Sequence, residues 1–403
     1  MTARPRIAVL GAGIMGCSVG LNLARRGAAV SLFDAAERPF AAASRWNEGK
    51  IHLGYLYGAD GTLRTAGQLL PGGLLFRPLV EELIGRSLGP AITAMGDLYL
   101  CHSRSVVQAE AMGTYVARVT DLVREHPDAA HYLADASACK SWRLSAAELA
   151  LVSDSPDIVA GFRVPERSVE TNWIADRFIE AVAAEPLITC HMGSRVFAAQ
   201  PVGEFDGGPW HVDTSAGRFE PFDYVVNALW EGRMAIDQTA GLRPARQWSN
   251  RYRQSLFLRT RRTIETPCAV IATGPFGDIK NYNGRDFYLS WYPDGLRIES
   301  SAIEPPGLAS VEMPEPEALT EAILDHLQAL LPWVSQIREE VESCRVGGGW
   351  VFAAGRGQLS DPSSSLHQRA DFGVIRRGRY FSVDTGKYST APWIARSLAA
   401  GMF

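Results

Sequence analysis

The sequence lacks paired cysteine motifs, long uninterrupted hydrophobic runs, an excess of charge of either sign, internal repeats and low-complexity tracts. Its six cysteines, Cys17, Cys101, Cys139, Cys190, Cys268 and Cys344, stand far apart, and its eight histidines form no His-Glu-x-x-His arrangement. Neither a zinc site nor a disulfide framework is therefore indicated, no structural metal is expected, and a reducing cytoplasm is the expected compartment. A formal net charge of −4 offers no basic face to release counterions from nucleic acid, which is excluded as an expected partner. The first apolar stretch, Ile7 to Leu23, is interrupted by Gly11, Gly13, Gly16 and Gly20 and has no small-residue cleavage site, so it reads as strand, turn and helix rather than as a leader. No other stretch has the length of a membrane span.

What is present is an ordinary globular composition, 46% apolar and 21% charged, over 403 residues. That length exceeds one compact core and suits two domains with a ligand between them. Arg6 to Leu10 reads as a short strand buried on both faces, Ile14 to Arg26 as a helix ending before Gly27, and Val30 to Phe33 as a second strand. Alternation then breaks down from Ala41 to Gly73, a mix of polar, aromatic and glycine residues that suits chain lining a site. Later elements are a helix over Glu170 to Val182, strands near Leu187 to Cys190 and Asp223 to Ala228, and a β-rich stretch from Gln247 to Ser301 that reads as an antiparallel sheet. An amphipathic helix follows, setting Leu319, Ile323, Leu327 and Leu330 on one face and closed by Pro332.

Between the first strand and the first helix lies Gly11-Ala-Gly13-Ile14-Met15-Gly16, a G-x-G-x-x-G turn with Asp34 at the end of the second strand. In that context the glycines allow a tight turn, a close approach of backbone N–H groups to a pyrophosphate, and close packing of helix on strand. The helix N-terminus adds partial positive charge, and Asp34 is placed to accept a hydrogen bond from a ribose hydroxyl. The fingerprint alone does not separate FAD from NAD.

That turn, together with Leu23-Ala24, Gly27, Val30, the Ser44-Arg45 pair, Asn47-x-Gly49-x-Ile51-His52-x-Gly54-x-x-Tyr57 and the late Gly386-Lys387-x-x-x-Ala391-Pro392, resembles the D-amino-acid oxidase superfamily of FAD enzymes, which includes glycine, sarcosine and L-2-hydroxyglutarate oxidases. The resemblance implies an α/β chain of two domains, a Rossmann-like FAD-binding domain interleaved with an antiparallel-sheet substrate domain. The expected division is 1–90, 166–240 and 336–403 for the first and 91–165 with 241–335 for the second. It also implies non-covalent FAD, held by Gly11, Gly13, Ile14, Met15, Gly16, Asp34, Ser44, Arg45, Asn47, Gly49, Ile51, Val196, Gly386, Lys387, Tyr388 and Ser389. The Gly386 turn, opening the last helix, is the element that favours FAD over NAD, because its N–H groups would stabilise negative charge on the flavin pyrimidine.

Above such a flavin the chain must orient a small molecule and exclude water. His52 resembles the histidine of the hydroxyacid-oxidising branch, where a base would take a hydroxyl proton. Lys50 and Lys387 would stabilise reduced flavin or promote its reaction with oxygen. A substrate carboxylate calls for an arginine fork, and the candidates are Arg251, Arg253, Arg285, Arg297 and Arg369, with Arg251 and Arg253 on one face of a strand. Tyr55, Tyr57, Trp291 and Tyr292 are candidate walls of the substrate slot. Cys344 reads as an inert buried thiol. The readings that follow are oxidation of a CH–N bond, oxidation of a 2-hydroxyacid, or a flavoprotein that needs a partner; the electron acceptor is not specified by the residues.

Overall fold

In the computed structural model, residues 4–203 and 208–402 are described. The N-terminal unit folds as its apolar pattern dictates. Strand β1 (Arg6–Leu10) is followed by helix α1 (Ile14–Ala24) and strand β2 (Ala29–Phe33), with β1 and β2 pairing in parallel from Arg6 opposite Ala29 to Leu10 opposite Phe33. Ile7, Ala8, Val9 and Leu10 are fully buried, as a strand covered on both faces requires. Around this pair grows a six-stranded sheet in the order Gly373–Arg377, Tyr380–Asp384, Tyr224–Asn227, β1, β2, Ile188–His191. All neighbours run parallel except the edge strand Gly373–Arg377, which is antiparallel to Tyr380–Asp384.

The second large sheet has nine strands and is built on Trp248–Thr260, which pairs with Leu296–Ser300, Asp286–Trp291 and, over almost its whole length, Val341–Ala354. Its apolar face is covered by the helix Pro316–Leu330, whose Leu319, Ile323, Leu327 and Leu330 are buried with Leu324, on the face read from the sequence. Two details differ from expectation. The sheet is mixed, because Ala269–Ala272 lies parallel to Leu98–His102; strands so far apart in the chain are not joined by a hairpin, so nothing forces them antiparallel. Moreover, Val341–Ala354 lies past residue 336, where the expected division returns the chain to the FAD-binding part, yet it belongs to this sheet.

Sequence patterning missed the longest helix, α2 (Arg64–Ile84), because it carries Pro71 and Pro78 inside it and proline normally ends a helix. Helix α2 packs against the last helix, Ala391–Met402, and against the short turn Tyr388–Thr390 before it. The strands Asp286–Trp291 and Leu296–Ser300 are joined by a single helical turn, Tyr292–Gly295. No cysteine is disulfide-bonded, and Cys344, expected to be buried, is exposed beside the Thr320 hydroxyl. Among the described residues no helix is long and apolar enough to cross a membrane, and no group of three or more His, Cys, Asp or Glu side chains is arranged to hold a metal.

Candidate active site

The glycine turn forms a tight cradle at the N-terminus of α1. Gly11 has φ of +98°, and a Cβ placed on Gly16 would overlap the Gly11 carbonyl oxygen. A Cβ on Gly13 would come within 2.7 Å of Ser44 Oγ, which itself accepts a hydrogen bond from Ile14 N at 3.0 Å. Ser44 therefore closes over the first turn of the helix. Asp34 accepts from Ala12 N (2.7 Å) and Ala36 N (2.9 Å), so its carboxylate is fixed beside the cradle with further lone pairs to offer. Burial, and the charge of Asp34, push the Glu231 carboxyl up to about 7; this second carboxyl beside Asp34 carried no signal in the sequence. Met15 lies buried in the first turn of α1, and Val196 sits two residues after Ser194, whose N–H donates to the Asp34 carbonyl.

The segment after β2 is held by its own side chains. Asn47 Nδ2 donates to the Ala43 and Ser44 carbonyls while its Oδ1 accepts from Gly49 N, closing a loop that delivers the short strand β3 (Lys50–Ile51). The Arg45 guanidinium is committed to the Phe40 carbonyl, Asn172 and Asp176, the last at 2.6 Å, so Arg45 braces this loop against the helix Thr171–Ala184. Trp46 packs its ring on Phe257 and under Arg345, tying the loop to the nine-stranded sheet.

At the far end of the chain, Gly386 has φ of +68° and donates from its N–H to Asp384. Tyr388 and Ser389 follow in the short turn, and their hydroxyl oxygens are buried without a hydrogen-bond partner. Unpartnered buried hydroxyls are costly, so these two await a polar group from elsewhere.

Between the two sheets lies a cavity of about 160 Å³. It brings together Lys50, Lys387, Arg251, Arg253 and Arg369 with Tyr57, Tyr292, Glu48 and Asp278. Five residues singled out for charge thus converge from β3, from Trp248–Thr260 and from the segment around Gly386, and two singled out as aromatic walls come from the turns Tyr55–Tyr57 and Tyr292–Gly295. Arg251 and Arg253, two positions apart on one strand, address the same space, as period-two alternation requires. Arg251 Nη1 donates to the Tyr292 hydroxyl at 2.9 Å, Arg253 lies over the Tyr292 ring at 4.6 Å, and Arg369 Nη2 donates to the Phe352 and Gly386 carbonyls.

Other candidates lie elsewhere. Arg285 is bound to the Thr260 carbonyl and Glu342, and Arg297 does not line the cavity. Tyr55 pairs with Thr120, and Trp291 stacks on His326. His52 is 1% exposed and does not line the cavity; its ring faces Tyr57 and its Nδ1 has no partner. Burial first, and then Lys387, Lys50, Lys280 and Arg369, hold its pKa well below the usual histidine range, so it is neutral.

Glu48 is a site residue that sequence reasoning passed over, although it stands inside the quoted motif. Burial would raise its pKa, but Lys387, Lys50 and Arg253 outweigh burial and keep it ionised. Burial, with Arg369, Lys50 and Arg251 nearby, pushes Lys387 down to about 7 despite the opposing pull of Glu48. Below the cavity Lys50 is 3.8 Å from Asp97, which is held at 2.5 Å by Lys280, and Tyr99 donates to Glu166 at 2.5 Å.

Residues 6–399 match the family model described as FAD dependent oxidoreductase, DAO. The chain belongs to this family. No match to a curated protein is found. Solved structures with the same fold include glycine oxidase from Geobacillus kaustophilus, 16% identical over 98% of this chain and 94% of that one with a TM-score of 0.66. Iminodiacetate oxidase (IdaA) from Chelativorans sp. BNC1 is 17% identical over 98% of this chain and 94% of its own, TM-score 0.67. NikD, an unusual amino acid oxidase essential for nikkomycin biosynthesis, is 15% identical over 100% and 95%, TM-score 0.69. This member of the DAO family is an FAD-dependent oxidoreductase with a two-domain α/β fold. The residues present fit its non-covalent cofactor. The glycine cradle leaves no room for side chains where a pyrophosphate would approach, and the unpartnered Tyr388 and Ser389 hydroxyls stand at the turn that would meet the flavin end.

Proposed function

We propose that this DAO-family enzyme oxidises the CH–N bond of a carboxylate-bearing amino acid or amine to an imine, with oxygen or another acceptor completing the cycle. The observation that carries this reading is the convergence of Arg251, Arg253, Arg369 and Lys387 on one cavity. Bound FAD supplies the acceptor for the hydride. The chain supplies the rest. Guanidiniums hold the substrate carboxylate and so fix the reacting carbon. The same cations disfavour a substrate ammonium, leaving the amine neutral with its lone pair available. Ionised Glu48 and the neutral form of Lys387 are the groups lining the cavity that accept the released proton.

The glycine oxidase, iminodiacetate oxidase and NikD structures support the amine reading by their named activities. Oxidation of a 2-hydroxyacid would need a base for a far less acidic hydroxyl, and His52, the residue expected to serve, lies off the cavity. Anaerobic bleaching of the flavin by panels of amino acids and 2-hydroxyacids tests the reading; reduction by hydroxyacids alone would overturn it.

Two further outcomes are expected. Single replacement of Arg251 or Arg369 by Met raises KM about ten- to a hundred-fold, the loss of one charge-assisted hydrogen bond of about 1.5–3 kcal/mol. Unchanged KM in both variants would remove the carboxylate from the proposal. Lys387 is charged below about pH 7 and neutral above it, so affinity for a non-reacting carboxylate such as acetate should fall as pH rises through 7. Lys387→Met flattens that limb, and Glu48→Gln, by removing the carboxylate that supports the charged lysine, moves it to lower pH. A titration of acetate affinity against pH in the three proteins reads both effects.

A further inference from the structure

We propose that the substrate of this cavity is a dianion, an amino or imino acid with two acidic groups; this rests on the reading of the cavity as the substrate site. Five basic side chains line it, Lys50, Arg251, Arg253, Arg369 and Lys387, and two carboxylates, Glu48 and Asp278. Among the described residues, only Lys50 of the five has a carboxylate oxygen within 4.0 Å, and that carboxylate, Asp97, lies closer to Lys280. The partners of the arginines are neutral: the Tyr292 hydroxyl for Arg251, the Tyr292 ring for Arg253, and main-chain carbonyls for Arg369. The Nε atoms of Arg251 and Arg253 are buried and have no partner at all. Asp278 accepts a hydrogen bond from Ser290 at 2.5 Å.

Guanidiniums taken out of water with no carboxylate in direct contact are expensive, and a fold retains them where an anion from outside completes the site. One carboxylate would satisfy one fork and leave the excess of positive charge standing. These side chains come from separate segments of the chain and meet in one cluster. Arg251 and Arg253 belong to the strand Trp248–Thr260 and flank Tyr292, whereas Arg369 and Lys387 come from the segment around Gly386, with Arg369 also reaching the Phe352 carbonyl on the strand paired with Trp248–Thr260. The first pair lies on the nine-stranded sheet, apart from the glycine cradle on the six-stranded sheet, so the cofactor pyrophosphate does not account for it. A ligand with two anionic ends would engage more of this cluster than one carboxylate can, and Tyr57 and Tyr292 line the same cavity beside it.

The test uses purified holoenzyme and pairs of compounds that differ by one acidic group. Anaerobic flavin reduction is followed with alanine against aspartate and glutamate in both enantiomers, with N-methylglycine against iminodiacetate, and with lactate against malate. Calorimetric titration of acetate and propionate against malonate, succinate and glutarate reads binding without turnover. A dicarboxylate is expected to act or bind at least about ten-fold better than its monocarboxylate partner, the worth of one further charge-assisted contact. Arg253→Gln and Arg251→Met, each first checked for full flavin content, should bring that ratio towards one. Equal reduction and equal binding by mono- and dicarboxylates would overturn the dianion while leaving amine oxidation intact. Reduction by malate with none by any amine would overturn amine oxidation and keep the dianion. If no compound reduces the flavin, absence of dicarboxylate binding in the calorimeter overturns the proposal and preferential binding supports it.

Discussion

Gly16→Ala is expected to purify without flavin colour, whereas Gly20→Ala, one turn further along the same helix, purifies yellow. Both substitutions add one methyl group to α1 and both favour helix by intrinsic propensity, by about 1 kcal/mol. They differ in what the methyl meets. At Gly20 the new carbon makes ordinary contacts with Ile188 Cδ1 at 3.6 Å and Val30 Cγ1 at 3.7 Å. At Gly16 it overlaps the Gly11 carbonyl, main chain that cannot swing aside without opening the turn between β1 and α1. Gly11 in turn abuts the Ala228 carbonyl, so the turn has no direction in which to relax cheaply. The ratio of flavin to protein absorbance measures the outcome, with far-ultraviolet circular dichroism confirming that both variants are folded. A Gly16→Ala protein carrying a full complement of FAD would mean that the cradle is not where the pyrophosphate sits.

How much of this was legible beforehand depended on whether a feature was local. β1, α1 and β2 were readable to within a residue or two because a doubly buried strand and a Gly-rich turn each leave a signature in a few consecutive residues. The face of the helix Pro316–Leu330 was readable for the same reason. Helix α2 was not, since its two prolines argue against helix locally while its packing on the last helix, Ala391–Met402, is settled by tertiary contact. The parallel pairing of Ala269–Ala272 with Leu98–His102 joins segments far apart in the chain and leaves no sequence mark.

The candidate site divides along the same line. Arg251 and Arg253 were readable as a pair because alternation along a strand is local, and Arg369 and Lys387 stood near the Gly386 turn. That all four address one cavity follows only from the folding of two sheets against each other. Glu48 was passed over because a glutamate in a loop is ordinarily solvated; its burial among Lys50, Lys387 and Arg253 is a property of the assembled site. Arg45, expected at the cofactor, spends its guanidinium on Asp176 and Asn172, partners more than a hundred residues away in the chain.

The charge network under the cavity leads to the largest expected loss of stability. Asp97 is fully buried, bonded to Lys280 at 2.5 Å and 3.8 Å from Lys50, and both lysines are themselves buried. Burial would lower the Lys280 pKa, but Asp97 overrides it and holds the lysine above its ordinary value, so the ammonium is retained. Asp97→Asn removes, from two buried ammonium groups at once, the only carboxylate within 4.0 Å of either among the described residues, and should destabilise the enzyme by about 3–5 kcal/mol, the cost of an orphaned buried charge. Lys280→Met should cost less, because Asp97 keeps Lys50 as a partner. The double variant Asp97→Leu with Lys280→Met should recover part of the loss, since removing both members of a buried pair leaves less charge uncompensated than removing one. Urea unfolding of the three holoenzymes orders them, and an Asp97→Asn protein as stable as Lys280→Met would show that Asp97 does not serve both lysines. Because Lys50 lines the cavity, the same substitution reaches the chemistry: with Asp97 neutral, the Lys50 ammonium is left with Glu48 and Glu166 as its neighbouring carboxyls, and substrate affinity changes along with stability.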